Sequence, residues 1–442
     1  MKLSNKGFTL IEIIVVMAVF IVIIMITGDA FKTILTHTGR LSKSEESNIE
    51  GVIGLEMMRH DLEQAGFGLP YSYDSTTPIT YLEAGYLPAN GYNDAPSGVP
   101  RAFVAGNNLA ATADPNSYTG GIKYNVIANT DYLSIKASSV GSSEAAQKWT
   151  YINYSSSGKA PKSWPGGNLK STSPADRVIM LRRSFANGVY TNQLLYDVNT
   201  PGIYWVNHSN SGYVAAFSPA TPEETIFEYG IRSCSSTTCP VGMPFNRVDY
   251  FVSKPTLADK LPSTCEPNNT GVLYKATINH STTNPGGTLN YMPVLDCVAD
   301  MQVIFGWDLP GAENSSVTVD SSNVNNTGDG IIDTWSNADG SVVSGSGTIA
   351  QVQAAMANAG HVRTKLKIIK VLILAQDGKK DPAYTSPSLI PVGTQKGEDD
   401  GGSTATTTLY KPGGFAISSA MLNYRWKVYK LIIKPKNLIS NQ

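Results

Sequence analysis

Residues 6–28 read KGFTLIEIIVVMAVFIVIIMITG, an apolar run broken by one carboxylate, Glu12, five positions after Gly7. From Phe8 to Gly28 the run is long enough to cross a bilayer as a helix, which takes roughly 20 residues. Lys2 and Lys6 precede it and should stay cytoplasmic, so that the rest of the chain lies outside. A cleaved secretory signal would have a shorter apolar core followed by a small-residue cleavage site, and nothing of that kind follows Ile26. An ordinary signal anchor accounts for the lysines and the length. It leaves Glu12 unexplained, since a carboxylate near the bilayer core costs about 2.5 to 3.5 kcal/mol and usually marks a site with a partner.

The stretch Lys6-Gly7-Phe8-Thr9-Leu10-Ile11-Glu12 resembles the class III signal of type IV prepilins and type II secretion pseudopilins. The resemblance implies that a dedicated prepilin peptidase cuts between Gly7 and Phe8, that residues 1–7 are a leader, and that Phe8 becomes N-methylated. It also implies that Glu12 pairs with the N-terminal amine of a neighbouring subunit entering a fibre. The physics is consistent, because two charges buried together offset each other's desolvation while one left alone is costly. Glu12 is thereby a register mark.

Helical spacing continues past the membrane-length run. Ile49, Val52, Leu55, Met58, Leu62 and Ala65 recur three or four apart, with acidic and basic residues between them. A helix from Phe8 to Gly66 would be a rod on the order of 90 Å long. It divides into a spanning part, 8–28, and an amphipathic continuation, 29–66, that packs on a head. Gly28, Gly39, Gly51 and Gly54 read as weak points, each costing about 1 kcal/mol relative to Ala. Gly66, Gly68 and Pro70 form a stop signal. The segment Asp61-Leu62-x-x-Ala65-Gly66-Phe67 resembles the end of the first helix in minor pilins of the PilW type and in J-type pseudopilins.

From Pro70 onward the texture changes to short alternating runs separated by Gly, Pro, Asn and Ser, which predicts a β-rich head over 70–442. The strongest strands are Thr364 to Ala375 and Tyr424 to Lys434. Residues 71–121, 138–176 and 394–414 read as long surface loops, the kind that tend to carry function. The fold class expected is therefore α+β: a type IV pilin-like long N-terminal helix packed on a large β-rich globular head. Composition is compatible with this. Only 16% of the 442 residues are charged and the formal net charge is −1, so no long-range field draws in nucleic acid.

Four cysteines, Cys234, Cys239, Cys265 and Cys297, all lie outside the membrane in this topology. An even count in an oxidising compartment favours two disulfides. Three connectivities exist; proximity pairs Cys234 with Cys239 and Cys265 with Cys297, and metal binding is the rival. The loop NNTGDGIIDTW places Asn325, Thr327, Asp329, the Ile331 carbonyl and Asp333 at liganding positions of an EF-type calcium loop. Asn at its first position and Ser336 at its twelfth depart from that pattern, and an Asp-Gly turn between strands reads equally well. No cofactor is required, and structural Ca2+ stays open. A similar Gly-Asp-Gly segment before a basic-apolar strand is a further resemblance to PilW-type pilins.

Arg363, Lys365, Lys367 and Lys370, then Arg425, Lys427, Lys430, Lys434 and Lys436, lie beside Tyr424, Trp426 and Tyr429. Basic and aromatic residues together can bind nucleic acid. A solvated strand face protected by lysine against edge pairing is preferred here. The five histidines are scattered, and the chain has no H-E-x-x-H, no G-x-S-x-G and no P-loop, so no enzyme is expected.

The resemblance implies a minor pilin incorporated at low copy near a pilus tip, priming assembly. Its expected partners are other minor pilins, the major pilin, the prepilin peptidase/methyltransferase, an inner-membrane assembly platform and a tip adhesin. It would sit in the inner membrane before assembly and on the cell surface afterwards. The alternatives are a J-type pseudopilin of a secretion system, or a pilus-borne binding module for surfaces or DNA.

Overall fold

A computed structural model describes residues 9–73, 79–113, 124–154, 159–165, 167–186, 189–197, 203–234, 241–256, 261–281, 285–309, 330–391, 394–395, 408–409 and 414–438. The fold is α+β. Helix α1 (Leu10–Gln64) is a 55-residue rod, on the order of 80 Å long at the usual rise per residue. Thr9 caps its start. Its end is set by Gly66 and Gly68, whose φ of 83° and 67° lie in the left-handed region that suits glycine.

The last turns of α1 pack on a large antiparallel sheet. Its strands run in the order Phe103–Gly106, Tyr132–Ala137, Asn246–Pro255, Gly271–Asn279, Thr288–Trp307, Thr334–Asn337 and Val342–Gly345. Thr288–Trp307 spans 20 residues, enough for it to change neighbours along its length. It pairs with Gly271–Asn279 over its first half and with Leu366–Asp377 over its second. Leu366–Asp377 in turn carries Arg425–Ile433.

A second antiparallel sheet orders Trp149–Asn153, Thr225–Cys234, Ala175–Ala186 and Val189–Leu194, with Val206–Asn207 on Ala175–Ala186. One face buries Ile152, Val178, Met180 and Ile226; Ile179 and Leu181 on the other face join the main core. All three segments read as loops thus contain strands, 394–414 holding the short pair Thr394–Gln395 and Thr408–Leu409. Phe103–Gly106 lies inside 71–121, and Trp149–Asn153 with the start of Ala175–Ala186 falls in 138–176. Their runs are short and embedded in Gly, Ser and Pro, and their order comes from pairing with residues distant in sequence.

The packed face of α1 also differs from the expected stripe. Leu55, Met58, Leu62 and Ala65 are buried, but Val52 is 60% exposed and Gly51 and Gly54 take its place against the sheet. A Cβ on Gly54 would lie 1.9 Å from the Val294 carbonyl oxygen, and one on Gly51 would lie 2.7 Å from Leu295 Cδ1. The two glycines read as weak points are therefore the contact that lets the helix backbone meet the long strand.

The basic face is not one surface. Arg363 and Lys365 belong to α3 (Ala359–Lys365), which follows α2 (Ile349–Ala357), rather than to a strand. Asn358 starts α3 by accepting the Gly360 and His361 amides. Lys365 and Lys370 are buried, Lys370 with its ammonium 3.7 Å from the centre of the Trp335 ring, and Arg363 stacks on Tyr71.

An ionic network fixes residues 79–101 to the main sheet. Arg247, fully buried, donates to Asp249 through Nε and Nη2, to Glu83 through Nη1 at 2.7 Å, and to the Ala89 carbonyl at 2.8 Å. Lys136 Nζ lies 2.9 Å from Glu83 Oε2 and 2.6 Å from Asp94 Oδ2, and Arg101 Nε lies 2.6 Å from Asp94 Oδ1. Cations and carboxylates match in number, which is what makes so much buried charge tolerable. Burial pushes the Asp94 carboxyl up, but Lys136 and Arg101 outweigh it and hold the group below its usual value.

Candidate functional site

The described residues begin at Thr9, inside the stretch Lys6–Glu12, so Gly7 and Phe8 lie outside them. Thr9 and Glu12 form a reciprocal cap. The Glu12 amide donates to Thr9 Oγ1 at 3.4 Å, while the Thr9 amide and hydroxyl each donate to Glu12 Oε2 at 2.9 Å. This is the capping box expected of a Thr followed three residues later by Glu, and it satisfies amides that have no helical partner. It also holds the carboxylate back toward the helix start.

Behind the cap, Leu10–Lys32 is an apolar span of 23 residues with mean hydropathy 3.1, none of it covered by the head. Inside it, Thr27 Oγ1 returns its proton to the Ile23 carbonyl at 2.7 Å, so the hydroxyl is satisfied within the helix. Gly28 has nothing within 4 Å of where a Cβ would be. The span is therefore a free-standing helix that can take a lipid or protein environment on every side.

The junction between helix and head is fixed by polar contacts that the sequence reading did not assign. Asp61, buried on the packed face, accepts from the Tyr250 hydroxyl at 2.6 Å, and its Oδ2 lies 2.6 Å from Lys275 Nζ. On the opposite flank Lys436 binds Glu63 at 2.5 Å, and Asn437 donates to the Gln64 carbonyl. Glu63 is thereby held below its usual value, the Lys436 hydrogen bond outweighing burial. The signal for Asp61 was present. It falls three residues after Met58 and one before Leu62, on the apolar side, where an acid needs a partner.

Of the remaining predicted sites, Cys265 and Cys297 form a disulfide with Cα atoms 5.0 Å apart, tying the segment before Gly271 to the long strand. The Cys234 side chain and Cys239 lie outside the described residues. So do Asn325, Thr327 and Asp329 of the calcium set. Ile331 is exposed, and Asp333 uses its carboxylate to accept the Leu309 amide at 2.6 Å and the Thr334 hydroxyl. Among the described residues no three His, Cys, Asp or Glu side chains gather as metal ligands. Asp333 thus ties Leu309 to the start of the strand Thr334–Asn337.

Chemically the assembly site offers a carboxylate, an apolar helix and a rigid mount. Residues 2–28 match the family described as the prokaryotic N-terminal methylation motif. No curated protein and no solved structure matches the chain. The motif and the apolar helix together support a type IV pilin-like or pseudopilin-like protein with a single-pass membrane anchor, processed by a prepilin peptidase and handled by a membrane-associated assembly system.

Proposed function

We propose that this chain is a minor pilin of the PilW type, incorporated at low copy at or near a pilus tip, where it primes assembly and presents partners. It acts by assembly and not by turnover. The leader is removed after Gly7, the amine of Phe8 is methylated, and the helix waits in the inner membrane with its head in the periplasm. There the Thr9–Glu12 cap keeps the carboxylate hydrogen-bonded. On entry into the fibre the ammonium of a neighbouring subunit replaces that cap as the partner of Glu12, and the two charges are buried together.

The observation that carries the reading is the size of what the helix bears. Among the described residues a main sheet of eleven strands packs on the last turns of α1, and a second sheet of five joins the main core. Such a head is hard to repeat along a thin fibre, which favours few copies and an end position. Smaller heads are the rule for the J-type pseudopilins that the same motif would also fit.

Quantitative mass spectrometry of sheared surface fibres beside the membrane fraction tests this. Head peptides and N-methylated Phe8 should appear in fibres at a low ratio to the major pilin. Their confinement to the envelope would replace the proposal by a secretion pseudopilin or an inner-membrane priming factor.

A further inference from the structure

Within the buried ionic network three side chains stand in an arrangement that an ion pair alone does not need. Lys136 is completely buried, its Nζ 2.6 Å from Asp94 Oδ2 and 2.9 Å from Glu83 Oε2. Glu83 is also completely buried and Asp94 nearly so. The walls are aromatic: the Phe245 ring lies 5.5 Å from Nζ, with Tyr81 packed edge-on against it. Asp94 is held on both oxygens, Oδ1 by Arg101 Nε at 2.6 Å and Oδ2 by the Arg101 amide at 2.9 Å. Glu83 Oε1 accepts the amides of Asp94 and Ala95, which keeps the two carboxyl groups side by side.

We propose that Lys136 and Asp94 condense into an intramolecular isopeptide bond, with Glu83 as the proton carrier and Arg101 as the oxyanion holder. Glu83 Oε2 takes one proton from the ammonium and passes it to Asp94 Oδ2, leaving a neutral amine beside a neutral acid. Nζ then bonds to Cγ and the carbonyl electron pair moves onto Oδ1, where Arg101 Nε is already aimed. Glu83 removes a second proton from the nitrogen and returns it to the Oδ2 hydroxyl. That group departs as water, the carbonyl reforms, and Nζ keeps one hydrogen. Ammonium and carboxylate have become amide and water, and no oxidant or activated donor is needed.

Two features favour the product. Burying an ion pair carries a desolvation cost that its attraction often fails to repay, and condensation removes one charge of each sign. What remains is still balanced, with Arg247 on Glu83 and Asp249 and with Arg101 on the new carbonyl oxygen. Reacting groups held in contact in a dry site also gain the rate advantage of fixed orientation. The bond would clamp the segment that carries Asp94 covalently to the sheet strand that carries Lys136.

The test is tryptic mapping of the purified full chain after denaturation and reduction. The peptides containing Asp94 and Lys136 should be recovered as one linked species lighter by one water, with no cleavage after Lys136. Glu83→Gln, which keeps the shape but cannot carry the proton, should yield separate peptides and cleavage after Lys136. The Cys265–Cys297 disulfide in an unreduced digest of the same variant serves as the check on folding. Separate peptides and cleavage after Lys136 in the wild-type chain would overturn the proposal without recourse to any variant. A link that persists in Glu83→Gln would overturn the role given to Glu83.

Discussion

Asp61, on the last turn of α1, shares its Oδ2 between the Tyr250 hydroxyl and the Lys275 ammonium, each at 2.6 Å. Tyr250 and Lys275 stand opposite each other on paired strands of the main sheet. The carboxylate therefore bolts the helix to two strands at once, in a position only slightly open to solvent. With Gly51 and Gly54 on the long strand and Glu63 on Lys436, it is one of the contacts that tie the helix to the head.

Asp61→Ala should accordingly destabilise the head by about 3 kcal/mol, since it strands a mostly buried ammonium and a buried hydroxyl. Denaturant unfolding of the detergent-solubilised full chain reads this as a lower midpoint. Substituting the exposed Glu56 by Ala, whose partner Arg59 lies on the same solvent face, should leave the midpoint where it was. Equal effects would mean that Asp61 is no more than another surface charge.

Gly54 and Gly28 should respond oppositely to alanine. At Gly54 the new methyl collides with the Val294 backbone, so helix and strand must part, a change worth about 1 to 3 kcal/mol. At Gly28 the methyl meets nothing, and head stability should stay as it was. Unfolding midpoints of the two variants decide the matter. A Gly54→Ala protein as stable as wild type would show that the helix does not rest on the strand so closely.

His208 gives the second sheet a pH dependence. Its Nδ1 lies 2.6 Å from Glu228 Oε1 and its Nε2 lies 2.9 Å from Asn210 Oδ1, with Tyr213 also donating to Glu228 and the Asp176 carboxylate nearby. Burial pushes the imidazole down, but the Glu228 hydrogen bond and charge outweigh it, so its pKa is raised. A raised pKa means that the folded state holds the proton more tightly than the unfolded chain. The stabilisation is complete below the unfolded value, roughly 6.5, and is lost as pH rises through the folded one. Across that window stability should fall with a slope of at most about 1.4 kcal/mol per pH unit from this group. His208→Gln should flatten that part of the profile. A profile unchanged by the substitution would place the titration elsewhere.

How much of this was legible in the sequence depended on the range of the forces involved. The helix start was fully local, because Thr9 and Glu12 cap one another three residues apart. Leu366–Asp377 and Arg425–Ile433 announced themselves by long apolar alternation, and they pair with each other through nine residues. Trp149–Asn153 did not, since its partner Thr225–Cys234 stands more than seventy residues away and supplies the order its own short run lacks. Gly54 was read only as a weak point of the helix, and Asp61 only as part of the motif at its end. A glycine that weakens a helix and a glycine that admits a strand look alike until the strand is in place. The ionic network of Glu83, Asp94, Lys136 and Arg247 was likewise hidden, because its members meet only across the folded sheet.

The central claim is that Glu12 marks this chain for assembly and not merely for membrane insertion. The direct test is the fibre-to-membrane ratio of Glu12→Ala against wild type, measured by quantitative mass spectrometry with N-methylated Phe8 scored in the same samples. The account predicts that Phe8 is still freed and methylated while the ratio drops at least about tenfold, the effect of only about 1.4 kcal/mol at the pairing step. Incorporation of Glu12→Ala into fibres at the wild-type ratio would contradict it.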